Sequence, residues 1–279
     1  MRAPALRALG LMTAWGRGAA AIPEDALSAA DGRHLLSLGR PSHEGERFRR
    51  ATRECVLGIA AVETMLKDAC APREAIAGER TALLYAAAGS YAASNRLFIE
   101  RGIGGAYFPY TAPAAVPAEV TIEFCLTGPF AIFIGGPPAT LRAIWYAATL
   151  LEAGLCDRAL VLAVETFEEC ADLYTVSDRR TGHPLVEAAA SLWLEPGVGA
   201  LSLETHRGGP DSDHCEIRRR LGETFACEPL AVLDLWRHGN VGVPLSLRGR
   251  WRGETARLSW TDAMVPRDRA PRSHTAGAS

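Results

Sequence analysis

Hydrophobic positions recur along this chain with two different spacings, and the alternation between them predicts strands and helices in turn. Residues 5–14, ALRALGLMTA, form an apolar run that predicts a first strand leading into a glycine turn at Trp15, Gly16 and Gly18. The stretch from Ala19 to Gly45 is irregular and polar, as a long surface connection would be. From Phe48 the spacing becomes helical. Cys55, Ile59, Val62 and Leu66 recur on one side while Arg53, Glu54, Glu63 and Lys67 fall mostly elsewhere, which predicts an amphipathic helix ending near Ala69. Residues 80–90, RTALLYAAAGS, read as a short strand buried on both faces and closed by Gly89. A helical piece at 94–100, a glycine run at 102–105 and a proline-punctuated approach then lead to a helix over 116–124.

The second half of the chain repeats the alternation. Phe130 to Ile134 predict a compact apolar strand, broken abruptly by Gly135 and Gly136. Leu141, Ile144, Trp145, Ala148 and Leu151 then share one face of a helix that closes at Gly154. The apolar run at 158–166 predicts a strand reached by a parallel crossover. AAASLWLEP and GALSLETHR are separated only by residues 197–199, a connection short enough to predict an antiparallel hairpin. Residues 227–239 read as one helix and VPLSLRGRW and ETARLSW as two strands. The polar segment beyond them reads as a disordered tail. The pattern as a whole is mixed α/β.

Composition narrows the function. With 279 residues, 48% hydrophobic and 22% charged, the chain has the make-up of a soluble globular protein. A net charge of −2 and a pI near 6.4 provide no positive field for a phosphate backbone, so no nucleic-acid partner is expected. Among 30 basic residues Lys67 is the single lysine, and its place in a surface pattern argues against Schiff-base chemistry. The seven cysteines (Cys55, Cys70, Cys125, Cys156, Cys170, Cys215, Cys227) include no CxxC pair, which argues against a disulfide framework or a zinc knuckle. A reducing cytoplasm is the expected location. The opening segment superficially imitates an export signal, but Arg7 and Arg17 bracket an uncharged core of nine residues, Ala8 to Gly16, which is short for that role. No run reaches the roughly 18 apolar residues of a membrane span.

A strand, a sharp glycine turn and a helix together place a nucleophile where the helix N-terminus lowers a thiol pKa and stabilises an oxyanion. The turn at 135–140 has that form, but it holds Gly135, Gly136, Pro137, Pro138, Ala139 and Thr140. Thr140 carries its first usable oxygen, there is no thiol, and the two prolines remove two N–H donors. Elsewhere, Glu168 and Glu169 read as a solvated pair. The GIGG run lacks the strand and helix of a dinucleotide site, and no metal-ligand cluster or phosphate-cradling loop appears, so no cofactor is expected.

The stretch AEVTIEFCLTGPFAIFIGGPPATLRAIWYAATLLEAGLCDRALVLAVET resembles the active-site region of β-ketoacyl synthases of the thiolase-like superfamily. That region is a helix ending in L-x-G-P, a strand, a turn bearing the catalytic cysteine, a buried helix, G-x-x-D and a strand ending in Glu. Gly128 and Pro129 fit the G-P, and Leu141, Ala143, Gly154, Asp157 and Glu165 fit the later positions without a gap, so the nucleophile position falls on Pro137. ALRALGLMTAWG resembles the family's first strand and glycine turn, and FPYTAPAAVPAEV its approach to the site. VEAAASLWLE, with Glu187, resembles the G-E-G-A-A-A-L-V-L-E strand with both glycines changed. The likeness runs from about Ala5 to Glu204.

This resemblance implies a thiolase-like N-terminal half, a mixed and mainly parallel sheet with helices on both faces and a buried central helix, followed by a truncated C-terminal half. The implied division is a ketosynthase-like domain over 1–205, a short segment over 206–262 that completes or covers the sheet, and a tail over 263–279. Two departures carry the functional reading. The nucleophile is missing, and the family's second half, which supplies two catalytic histidines and a lysine, has few counterparts here because only about seventy-five residues follow Glu204. His183, His206, His214 and His238 stand in unlike contexts. A branch of the superfamily without the cysteine, the chain-length-factor-like subunits, pairs with an active ketosynthase and helps it dock acyl carrier protein. The resemblance thus implies a non-catalytic partner in type II fatty acid, polyketide or aryl-polyene-type biosynthesis, as a heterodimer with a ketosynthase or as a homodimer. Two alternatives stand beside it. One is an acyltransferase or hydrolase that works through Cys125, which the alignment puts near the pocket, or through Thr140 or water. The other is a decayed gene product, which predicts a molten chain without cooperative unfolding. An apolar face left uncovered by a missing half would be closed either by the residues after Glu204 or by a partner.

Overall fold

A strand that is apolar on both faces needs cover on both, and that requirement organises this chain. In the computed structural model, which describes residues 1–43, 45–89, 95, 98–100, 102, 105–167, 182–207, 215–239 and 244–261, such strands form the centre of a six-stranded sheet. Its members are β1 (Ala5–Thr13), β2 (Gly16–Arg17), β4 (Thr81–Ala87), β5 (Phe130–Ile134), β6 (Arg158–Glu165) and β8 (Ala188–Glu195), in the order β2-β1-β8-β6-β4-β5. β4 pairs parallel with both β5 and β6, so the chain between β5 and β6 crosses over β4. β8 runs antiparallel to both β6 and β1. Two short strands, β3 (Leu35–Leu36) and β7 (Leu185–Val186), pair parallel beside this sheet.

Helices cover both faces. On one, α2 (Arg53–Asp68) and α3 (Ala115–Glu123) pack on Leu83, Tyr85, Leu160, Leu162 and Trp193. Thr52 caps α2, its side chain accepting from the Cys55 N–H, and Leu57, Ile59 and Met65 are fully buried. On the other face lies α4 (Gly136–Glu152), with α6 (Glu228–Gly239) beside it. The strands turn mostly alanine toward α4 (Ala82, Ala86, Ala159, Ala163, Ala188, Ala190), and α4 answers with Ala143, Ala147 and Ala148. Small residues on both sides let the helix sit close to the sheet at interior packing density. Two further short helices, α1 (Ala26–Ala30) and α5 (Cys215–Leu221), pack on each other at the periphery.

The other side of α4 is covered by a second sheet made of β9 (Leu201–Arg207), β10 (Leu245–Trp251) and β11 (Glu254–Trp260), all antiparallel, in the order β10-β11-β9. Leu245, Leu247, Ala256, Leu258 and Trp260 join one core cluster with α4 and the six-stranded sheet. The described residues therefore stack as helix, sheet, helix and sheet. Leu201 and Leu203 of β9, together with β10 and β11, pack over this side of α4. The outward positions of the small sheet, Ser202, Glu204, His206, Ser246, Arg248, Arg257 and Ser259, are polar, as a face turned to water requires. The domain boundary expected at residue 205 falls inside β9.

Three sequence expectations are corrected. The large sheet is mixed but not mainly parallel: two of its five pairings are parallel and three antiparallel, because β8 runs against both β6 and β1 and β2 against β1. β8 and β9 do not form a hairpin: both edges of β8 are taken, by β1 and β6, so β9 pairs instead with β11. The chain leaves the large sheet at Gly197, where an added Cβ would lie 2.5 Å from the Ala3 carbonyl oxygen and 2.6 Å from the Ala5 nitrogen. Nor is the segment from Ala19 to Gly45 merely a surface connection. It contains α1, whose N-terminus Asp25 caps through the Ser28 N–H at 2.9 Å, and β3, and it buries Ile22, Ala26, Ala30 and Leu36. Of the expected helical piece at 94–100, residues 95 and 98–100 are described and are helical; residues 103 and 104 of the glycine run and the tail beyond 262 lie outside the described residues.

β1 and α2 come close at Gly10, where a Cβ would stand 2.4 Å from the Met65 nitrogen and 2.5 Å from the Ala61 oxygen. Both are backbone atoms of a buried helix and cannot swing aside. Gly10→Ala is expected to destabilise the fold by about 3 kcal/mol, the upper range for overpacking. Urea unfolding measures it, and a loss below about 1 kcal/mol would show that the helix rides up at little cost.

Candidate functional site

Gly128 and Pro129 launch β5 alongside β4. A Cβ at Gly128 would lie 2.3 Å from the Thr81 oxygen, and the Pro129 carbonyl accepts from the Leu83 N–H at 2.9 Å. At the far end of β5 the Gly135 N–H donates to the Ala87 carbonyl at 2.9 Å, and the chain turns through Gly135 (φ +143°) and Gly136 (φ +61°) into α4. Positive φ at both positions is why glycine stands there. Pro137 and Pro138 occupy the first turn, which leaves few N–H groups at that helix end for an oxyanion.

The turn at 135–140 is closed from above by β10. A Cβ at Gly249 would be 2.8 Å from both the carbonyl carbon and the Cβ of Pro137, so the strand backbone lies directly on that residue. A Cβ at Gly136 would be 2.8 Å from the Trp251 indole. Pro137, Pro138 and Thr140 are all buried, and the Thr140 hydroxyl donates to the Ala226 carbonyl at 2.5 Å. Thr140 is thus a packing residue without a base at its oxygen. Behind the turn, Phe225 meets Phe167 edge-on at 5.2 Å and Trp251 at 5.0 Å, in a small apolar cluster with Ala88 and Leu185. Phe225 holds φ at +44°, a conformation costly for a bulky residue and paid for by these contacts.

Buried carboxylates frame the turn. Glu165, at the end of β6, accepts from the N–H groups of Ala88 at 2.6 Å and Ala226 at 3.2 Å. Burial raises its pKa to about 8, against the two N–H bonds that lower it and with the Glu223 charge adding a smaller push, which favours the protonated form near neutral pH. Glu187, between β7 and β8, receives both Arg53 Nη groups at 2.9 and 2.8 Å and the N–H groups of Leu38 and Phe167 at 2.7 Å each. Arg218 joins the buried Glu228 at 2.7 Å and Glu223 at 3.4 Å. The Cys227 thiol lies near Glu165; desolvation first, then that carboxylate, pushes it well above the ordinary thiol range, so it is no nucleophile.

The other candidates are dispersed. Cys125 is not near the turn as the alignment suggested. It follows α3 in an exposed turn where its carbonyl accepts from Gly78, and the next residue, Leu126, bridges to Gly78 ahead of β4, whereas Ile134 pairs with Ala87 at the end of β4. At the rise of a strand the two ends lie roughly 20 Å apart. Lys67 is on the surface of α2, His206 is exposed on β9, and His238 Nδ1 lies 2.8 Å from the Asp234 carbonyl in α6. Glu168, Glu169 and His214 lie outside the described residues. Among the described residues no group of three or more metal-ligating side chains assembles, and no helix is long and apolar enough to cross a membrane.

The residues that close the turn, Gly249, Trp251 and Phe225, were not singled out by sequence reasoning. One signal was present: a glycine inside an alternating strand, LSLRGRW, marks a close backbone approach. Outside the closed turn lies a cleft of about 530 Å3 lined by Ala88, Ile134, Gly135, Arg142, Arg207, Trp251, Arg252, Gly253 and Glu254.

No protein-family model matches this chain, and no curated protein sequence does. Solved structures do match. The ishigamide ketosynthase/chain length factor superposes with a TM-score of 0.72 at 15% identity, over 92% of this chain and 99% of that one. A type II polyketide synthase ketosynthase in complex with its acyl carrier protein (AntDE:AntF) matches with a TM-score of 0.74 at 16% identity, over 94% and 99% of the two chains. A β-ketoacyl synthase from Burkholderia phymatum gives 0.69 at 12% identity, over 93% and 99%. At these identities the likeness is one of fold: the chain has the thiolase-like architecture of ketosynthases and chain length factors.

Proposed function

We propose that this chain is a non-catalytic ketosynthase-like subunit of the chain-length-factor kind, which pairs with an active ketosynthase in type II fatty acid, polyketide or aryl-polyene-type biosynthesis in the cytoplasm. The observation that carries the reading is Pro137, buried beneath the Gly249 backbone at the position to which the sequence resemblance assigns the family's nucleophile. On this reading the turn is the vestige of the family's site, with proline in place of the reacting atom and the β10 backbone lying over it. A protein with this fold and no reaction centre acts through what it binds.

The proposed contact is the outer edge of β5. Among the described residues β5 pairs with β4 alone, and it keeps Phe130 and Ile134 each 46% exposed. Tyr146 of α4, 41% exposed, packs on Phe133 at 5.9 Å and extends the apolar surface. An apolar strand with an unpaired edge is a template for another chain's strand. A ketosynthase, or a second copy of this chain, is the proposed partner, and acyl carrier protein would dock on the pair.

The test combines capture with chemistry. The tagged chain should retain a co-expressed ketosynthase carrying its own cysteine, and Phe130→Lys with Ile134→Lys should abolish retention. Neither the unmodified chain nor Pro137→Cys should condense acyl and malonyl thioesters, because Gly249 leaves no room above the turn. Condensation by the unmodified chain alone would overturn the reading.

A further inference from the structure

Several arginines described in this molecule stand singly beside a carboxylate: Arg73 beside Glu63 and Glu123, Arg80 beside Asp157, Arg219 beside Glu216, and Arg237 beside Asp68. The cleft outside the closed turn instead gathers several arginines around one carboxylate. Three guanidinium groups line it, those of Arg142, Arg207 and Arg252, against the single carboxylate of Glu254. Arg142 pairs with Glu254. Arg207 and Arg252 have no acidic partner among the described residues, and their local surplus is two positive charges.

The fold holds these charges in place. Arg207 ends β9 in register with Glu254, and Glu254 is in register with Trp251, so the three form a row across the end of the small sheet. Arg252 and Gly253 make the two-residue turn between β10 and β11, with φ of +46° and +84°, the conformation that matches strand twist in a tight hairpin. The Arg252 guanidinium lies over the Trp251 ring at 5.7 Å, and Arg142 projects from the second turn of α4. The positive end of the helix dipole points the same way. Trp251, Ile134 and Ala88 add apolar surface to the lining, and a volume of about 530 Å3 is in the range of small-molecule sites.

We infer that this cleft is a binding site for a small phosphate monoester with an apolar or aromatic substituent. A monoester dianion matches the charge surplus and offers oxygens for guanidinium forks, whereas a monocarboxylate would leave one arginine uncompensated. The substituent lies along Trp251 and Ile134. The floor is closed by Trp251 against Gly136, so the ligand is held and no reaction on it is implied. The inference does not rest on the accessory-subunit reading, although Ile134 also stands on the β5 edge proposed above as the partner contact.

The test is calorimetric titration of the full chain with phenyl phosphate, inorganic phosphate, benzoate and benzyl alcohol. Phenyl phosphate should bind saturably and tighter than the other three, with affinity falling as salt rises. Arg207→Gln combined with Arg252→Asn should weaken it by about tenfold or more. Asparagine before glycine suits the tight turn, so this variant should keep or raise the melting temperature and separate lost binding from lost folding. Arg257→Gln, on the outward face of the small sheet, should bind as the unmodified chain does. Absence of saturable phenyl phosphate binding, equal binding of benzyl alcohol, or undiminished affinity in the double variant would each overturn the inference.

Discussion

Replacing Glu187 by alanine is expected to remove about 3–5 kcal/mol of stability. The carboxylate is fully buried and takes four hydrogen bonds, two from Arg53 and one each from the Leu38 and Phe167 N–H groups. Those donors tie together the segment before α2, the end of β6 and the junction of β7 with β8. Without the carboxylate the Arg53 guanidinium, 19% exposed, loses its counter-charge, and two backbone donors lose their acceptor. The penalty comes from the groups left behind, so Arg53→Met together with Glu187→Ala should cost less than the two changes summed. Urea unfolding of the four species gives the coupling. A loss under about 1 kcal/mol for Glu187→Ala would show that water replaces the carboxylate. The same curves test the decayed-gene reading, since a molten chain would unfold without a cooperative transition.

Glu165→Gln is expected to flatten the pH dependence of stability and to make the protein more stable at pH 8. The folded carboxyl, pushed up to about 8 chiefly by burial, keeps its proton where the unfolded chain, with the ordinary value of 4.5, has lost it. Between these values the native state holds one more proton, so unmodified stability falls as pH rises through the window and is level below it. Over pH 5–8 the difference is on the order of 3 kcal/mol. The glutamine oxygen can still accept from Ala88 and Ala226, so the variant keeps the contacts and loses only the titration. Asp25, Asp157 and Glu216, whose arginine or serine partners lower their pKa, act in the opposite sense but below about pH 4.5, outside this window. Parallel slopes for the two proteins between pH 5 and 8 would refute the assignment.

Much of the site was legible in advance, and the reason is local. α2, β4, β5, α4 and β6 fall close to the predicted spans, because each has a hydrophobic period of its own and is bounded by glycine or proline. The spacing from Gly128 and Pro129 to Glu165 places Pro137 at the start of the buried helix with no gap to argue over. The errors came where a local rule competed with a distant one. A short glycine connection predicts a hairpin, but β8 already had neighbours on both edges, and the hairpin lost to them. Cys125 looked close to Pro137 in sequence, yet the intervening strand carries the two to opposite ends of β4.

Periodicity, glycines and prolines determined which segments form elements and what residue stands at the head of the central helix, since these depend on a residue and its near neighbours. Tertiary structure alone decided that β10 lies on Pro137, that Trp251 and Phe225 fill the space beside it, and that Arg142, Arg207 and Arg252 converge on one cleft. Those outcomes join residues far apart in the chain. They follow from burying the second face of α4, a condition on the whole molecule that no window of sequence contains.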